Sequence, residues 1–224
     1  MTRLAPFALL CSLLVACATA VPTVPNEREI LALLAEAEQI ESLRRALPQP
    51  APGMSRRAEL ELHLENQKRL EGRLETYLAR VKEYMDRTGD PRAARLWANE
   101  HLRLGDAYMN VLSRYERAIE MYQRALSVDP ANEEARKRID LAQSRRFVSI
   151  DAFAGIRDGM SESDVESRLG QPREDWIKHV RQDQRLFSVW IYPRSDGAAA
   201  AVYFDNGIVY HTNWNAAVST EVDP

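Results

Sequence analysis

The hydrophobic period of the chain changes once, near Phe147, and that change limits what the chain can fold into. Before it, apolar residues recur at offsets of three and four; after it, short apolar runs alternate and are broken by turn residues. A helix buries a stripe and a strand buries alternate residues, so one type of element cannot serve both parts. The pattern predicts an all-α region followed by a small α+β domain. A length of 224 residues, 45% hydrophobic and 28% charged, suits one or two small domains of ordinary globular composition.

The helical part opens at Asn26, which with Glu29 matches an amino-terminal capping box. Ile30, Leu33, Leu34, Ile40, Leu43 and Leu47 then follow at helical spacing. Pro48, Pro50, Pro52 and Gly53 break this helix, because proline removes a backbone donor and disfavours helix in the residue before it. Ser55 can cap a longer helix with a stripe of Leu60, Leu64, Leu70, Leu74, Tyr77, Leu78, Val81 and Tyr84, ending at Thr88-Gly89-Asp90-Pro91. Its many opposite charges at helical offsets read as a solvated face.

From Pro91 the run "LGDAYMNVLSRYERAIEMYQRALSVDP", with Leu104-Gly105, Tyr108, Tyr115, Ala118, Tyr122, Ala125 and Pro130, resembles a tetratricopeptide repeat. Two departures stand out: His101 takes the place where tryptophan is usual, and one extra residue between Tyr108 and Ala118 predicts a longer turn. Pro130 is expected to open a further helix to about Arg146, with Ala135, Ile139 and Ala142 inward. A lone helical hairpin cannot bury its apolar face, so the helix from Ser55 is expected to stack on it. The resemblance places Asn99, Leu102, Asp106, Met109 and Asn110 on the concave side, as candidate partner contacts or domain packing.

After residue 147, "GMSESDVESRLGQP" reads as a complete short helix. Ser161 and Asp164 form a capping box, Met160 and Val165 a hydrophobic staple, Gly170 a left-handed stop, and Pro172 prevents continuation. "WIKHVRQ", "RLFSVWIYP", "GAAAAVYF" and "IVYHTNW" follow as strands of a three- or four-stranded antiparallel sheet, the last two joined by a tight Asn206-Gly207 turn. Trp190 and Tyr192 share one strand face, opposite Phe187, Val189 and Ile191. One set must be exposed or covered by another element; if Trp190 and Tyr192 are the exposed set, they are the candidate contact surface.

The order Gly159-Met160-Ser161, Val165, Leu169-Gly170, Pro172, then Trp190-Ile191-Tyr192 and Val202-Tyr203-Phe204-Asp205-Asn206-Gly207, resembles the SmpA/OmlA family of BamE-like lipoproteins. That resemblance covers under a third of the chain. It implies a helix-plus-antiparallel-sheet fold and a periplasm-facing outer-membrane lipoprotein that supports β-barrel assembly or envelope integrity through protein contacts. The long helical region departs from the family, whose members are little more than the small domain. Tetratricopeptide regions also resemble parts of pilot lipoproteins for secretins and of cell-wall adaptors, which is the second reading.

The amino terminus fits either reading. Arg3 and the apolar stretch Leu4 to Val15 have the form of a signal peptide, and Leu14-Val15-Ala16-Cys17 resembles the lipobox of bacterial lipoproteins. That resemblance implies cleavage before Cys17, lipidation of its sulfur and, with Ala18 beside it, outer-membrane sorting. Bulky Leu10 disqualifies Cys11 from the same role. The expected organisation is a signal peptide over 1–16 and a tether, amphipathic helix and proline-rich linker over 17–54. The helical region spans 55–146, the α+β domain 147–216 and a tail 217–224.

Other function classes find little support. A formal charge of −3, becoming −4 once the leader with Arg3 is removed, offers no long-range attraction to nucleic acid. His63, His101, His179 and His211 show no paired-ligand spacing, and neither G-x-S-x-G nor a glycine-rich phosphate loop is present. The remaining catalytic candidates are His179 with Asp183, and Glu162, Asp164 and Glu166 on the short helix, where acids suit the positive helix end. No catalysis, metal or cofactor is expected.

Overall fold

A computed structural model describes residues 26–54, 56–182 and 184–216. Cys17, the cap expected at Ser55, Asp183 and the tail lie outside them.

Among the described residues, five α-helices build an arm. The first, α1 (Glu27–Ala46), is capped by Asn26, whose side chain accepts from the Arg28 N–H. The expected reciprocal bond from Glu29 does not form, because its carboxylate pairs instead with Arg87 at 2.6 Å. Ile30, Leu33 and Ile40 are buried, whereas Leu34 and Leu43 remain exposed, so the apolar stripe is narrower than the sequence implied.

The second helix, α2 (Arg56–Thr88), spans 33 residues, roughly 50 Å at 1.5 Å per residue. Its fully buried residues lie in the carboxyl-terminal half, where Tyr77, Val81 and Tyr84 share a core with α1, while Leu64 is exposed. Asn66 ties the proline linker down by donating to the Pro48 carbonyl.

Asp90, 2% exposed, caps α3 (Pro91–Asp106) by accepting from the Arg92 N–H at 2.8 Å. It also accepts from the Tyr84 hydroxyl, joining α2 to α3. Next comes a π-helical segment, Ala107–Val111, then α4 (Tyr115–Val128). The extra residue between Tyr108 and Ala118 is thus taken up partly inside the helix end, as an i→i+5 turn, with Ser113 at φ 51 completing the reversal. The last arm helix, α5 (Glu133–Arg145), starts later than expected: Pro130 lies in the preceding turn, and Asn132 is the cap, accepting from Ala135 N–H at 2.9 Å. Ala135 and Ala142 face inward as expected.

Small residues set how closely α3 and α4 approach. Tyr122 is fully buried and lies flat against Gly105, and its hydroxyl donates to Asp106 at 2.9 Å. Desolvation pushes the Tyr122 hydroxyl pKa up, so it remains a donor.

His101, buried on the same helix, stacks on Trp97 at 4.4 Å between ring centroids. Its Nδ1 lies 2.9 Å from the Trp97 carbonyl, which can only accept, so Nδ1 carries the proton and the neutral ring leaves Nε2 bare. Desolvation lowers its pKa from the ordinary 6.5. The unfolded chain then binds the proton more readily than the folded one, so acidification through about pH 6.5 is expected to weaken the arm until the folded-state pKa is passed. Denaturant titrations between roughly pH 7 and 5 should show stability falling with pH, and His101→Phe should flatten that slope. An unchanged slope in the variant would exclude His101 as its source.

Beyond Phe147 the chain forms α6 (Ile150–Phe153), α7 (Glu162–Leu169) and a 3-10 turn, Glu174–Trp176. Four antiparallel strands follow in sequence order: β1 (Ile177–Gln182), β2 (Arg185–Pro193), β3 (Ala199–Asp205) and β4 (Ile208–Ala216). The chain is therefore α+β, helices first and sheet last.

The α7 capping box is present: Asp164 N–H donates to Ser161 Oγ, and Ser161 N–H donates to Asp164 Oδ2 at 2.9 Å. The Ser161 hydroxyl, donating to the same carboxylate, and the Ser161 N–H hold the Asp164 carboxyl below its usual range. Val165 is buried, and Met160 packs on the same core. Gly170 has positive φ, but at φ 79 and ψ 177 it is extended rather than left-handed helical, a region essentially reserved for glycine. Asn206 and Gly207, at φ 49 and 79, make the tight β3–β4 turn.

Candidate protein-binding surface

The sheet has a covered face and an open one, and packing of α6 and α7 decides which is which. Phe153, Ile156 and Val165 sit on Trp190, Tyr192, Ala200, Val202, Phe204 and Val209. Trp190 and Tyr192 are therefore core residues, at 7% and 4% exposure, and not a partner surface. Trp190 stacks on Phe204 with centroids 4.8 Å apart, and the Tyr192 hydroxyl donates to the Gly170 carbonyl. Strand alternation separates the two sets, and the helices, by covering the Trp190 face, leave the other one exposed.

The open face carries the opposite set. Val180 pairs across strands with Phe187, Val189 with Tyr203, and Tyr203 with His211. Tyr210, half exposed, stands edge-on to Phe187 and Tyr203 at 6.2 and 6.3 Å, and His211 lies 5.2 Å from Tyr203. A register shift between Tyr203 and Phe204 adds a residue to β4 and puts Tyr210 within reach of the aromatic row. Arg185 lies over Phe187 and pairs with Asp205, giving the row a charged rim. Aromatic residues with a polar rim and one or two rotatable bonds are the groups favoured at binding hot spots.

The candidate residues of the arm do not form one groove. Asn99 and Asn110 are exposed, whereas Leu102 and Met109 are buried in the core of α3, α4 and α5. Asp106 is occupied by the Tyr122 hydroxyl and by Arg138 at 2.6 Å. Repeat geometry put these positions on one side, whereas Met109, inside the π-helical segment, is buried with Leu102. Met109 and Asn110 do border a cleft of about 490 Å³ between arm and sheet domain, shared with Tyr115, Arg145, Glu166 and Gln171.

The catalytic candidates are likewise dispersed. His179 is exposed on β1, Glu162 accepts from Ser188 at 3.1 Å, Asp164 is held in its cap, and Glu166 lines the cleft. Among the described residues no group of three His, Cys, Asp or Glu side chains is placed to hold a metal ion. No described helix is long and apolar enough to cross a membrane. Comparison with protein families, curated proteins and solved structures finds no match to this chain.

Val180, Tyr203, Tyr210 and Arg185 are the surface residues that sequence reasoning missed. Strand alternation contained the signal for the first two, opposite the core-facing set. The displacement of Tyr210 by the register shift had no sequence signal.

Proposed function

We propose that the chain is an outer-membrane lipoprotein, anchored through Cys17 and facing the periplasm. Its helical arm presents a sheet domain that binds envelope proteins, as a scaffold or accessory in outer-membrane protein assembly and envelope integrity. The observation that carries this reading is the sheet face that no described helix covers, where exposed Val180 and Tyr210 flank half-buried Phe187 and Tyr203. The lipobox-like Leu14-Val15-Ala16-Cys17 and the SmpA/OmlA-like residue order support the location and the assembly role. Several acyl chains, at about 0.8 kcal/mol per buried methylene, would make the tether stable.

The adaptor reading, in which a pilot or cell-wall lipoprotein works through its helical arm, is less well supported. Leu102, Met109 and Asp106 are occupied inside the arm, which leaves it the character of a spacer.

Crosslinked pull-down from envelope membranes, comparing the parent chain with Cys17→Ala, tests both. The parent should stay with membranes and recover barrel-assembly subunits; the variant should move to the soluble fraction. Unchanged membrane retention of Cys17→Ala would sink the anchor. Recovery of secretin or peptidoglycan-machinery components instead would favour the adaptor.

A further inference from the structure

The two edges of the sheet differ. The start of the β4 edge is closed by the chain itself: Gly159 N–H donates to the Val209 carbonyl at 2.9 Å, Val209 N–H to the Met160 carbonyl at 2.8 Å, and Ser161 bridges Ile208. At the other side, Val148 N–H donates to the Pro193 carbonyl, covering β2 only beyond the end of β1. Among the described residues β1 pairs over Ile177–Gln182 with β2 alone, and all its residues after Ile177 are exposed.

The register shows which backbone groups are free. Asn206 N–H donates to the Leu186 carbonyl at 2.8 Å, so Leu186 directs its backbone towards β3. Residues alternate in an antiparallel ladder, so Phe187 and Val189 face β1, opposite Val180 and Lys178. Ile177, His179 and Arg181 therefore turn their N–H and C=O groups outward, as an open row for another strand.

Charge selects the occupant. The chain is acidic overall, at −3, yet β1 holds Lys178 and Arg181 and no acidic residue. Among the described residues neither cation is in an ion pair, while neighbouring Arg185 is already paired with Asp205. A second copy of β1 laid antiparallel along this edge would bring these cations together, and like charges across a sheet are destabilising. The same cations favour an acidic strand.

We propose that the free edge of β1 receives an extended acidic segment of a protein partner as an added strand. Main-chain bonds to Ile177, His179 and Arg181 supply affinity, and carboxylates beside Lys178 and Arg181 supply selection. An apolar residue of the segment lies beside Val180, continuous with the aromatic face. This names the partner chemistry for the binding reading above and rests only on its protein-binding half.

The test is amide hydrogen exchange of the full chain in detergent, with and without a synthetic peptide of repeating Glu-Val-Val, whose carboxylates, three residues apart, can reach Lys178 on one face and Arg181 on the other. The peptide should slow exchange at His179 and Arg181 and leave β4 unchanged. A peptide of repeating Lys-Val-Val should protect neither. Reversing both charges, Lys178→Glu with Arg181→Glu, should weaken the acidic peptide about tenfold or more. His179→Pro, which removes an outward donor and leaves the β1–β2 pairing, should abolish protection of the edge. Should that variant fail to fold, the charge-reversed chain decides.

Protection confined to other elements, or an unchanged affinity after charge reversal, overturns the proposal. So does β1 protection by phosphatidylglycerol vesicles but not by the peptide. If the charge-reversed chain still recovers its envelope partners in the pull-down, this inference fails while the scaffold reading stands.

Discussion

Truncating Phe204 to alanine is expected to unfold the sheet domain while the helical arm stays folded. Phe204 is fully buried, stacked on Trp190 and enclosed by Val165, Val202 and Val209. Removing a buried phenylalanine costs about 3–5 kcal/mol, from lost transfer energy and the cavity left behind. A domain of roughly seventy residues has a total stability of only about 4–10 kcal/mol, so the loss consumes much of it. The arm has its own cores, one around Tyr77, Val81 and Tyr84 and one around Tyr122, and neither shares a residue with the core under the sheet. In Phe204→Ala, near-ultraviolet circular dichroism from Trp190 and Trp214 should collapse and β-strand amides should exchange rapidly. Helical ellipticity should persist. Simultaneous loss of both signals would show instead that arm and sheet fold as one cooperative unit.

The features legible in the sequence are those decided within a few residues. The capping box at Ser161 and Asp164, the Asn206-Gly207 turn and the change of period near Phe147 each depend on local backbone chemistry, and each recurs in the structure. Features decided by distant partners were not legible. Glu29 abandons its cap because Arg87, far along the chain, offers a guanidinium. Trp190 and Tyr192 are core because α6 and α7 lie over their face, and alternation along β2 cannot say which face that is. The extra residue after Tyr108 was countable, but its placement in a π-helical turn that contains the buried Met109 was not.

The same principle makes Gly105 a test of the arm. A glycine inside a helix normally costs about 0.5–1 kcal/mol relative to alanine, so on propensity alone Gly105→Ala should stabilise α3. The space around it reverses that sign. A methyl group there would sit 2.6 Å from Cδ1 and 2.9 Å from Cζ of Tyr122, and closer still to Cε1. The ring has little room to retreat, because it is fully buried and its hydroxyl is tied to Asp106, itself paired with Arg138. Overpacking of this kind costs about 1–3 kcal/mol, and forced withdrawal of the ring would also strain the Asp106 bond. A net loss of about 2 kcal/mol is expected in denaturant unfolding of the arm. Combining Gly105→Ala with Tyr122→Leu should cost less than the sum of the single changes, since the smaller side chain leaves room for the methyl. Strict additivity, or a stabilised single variant, would mean that α3 and α4 can move apart, and that the close approach is not what the glycine is there to permit.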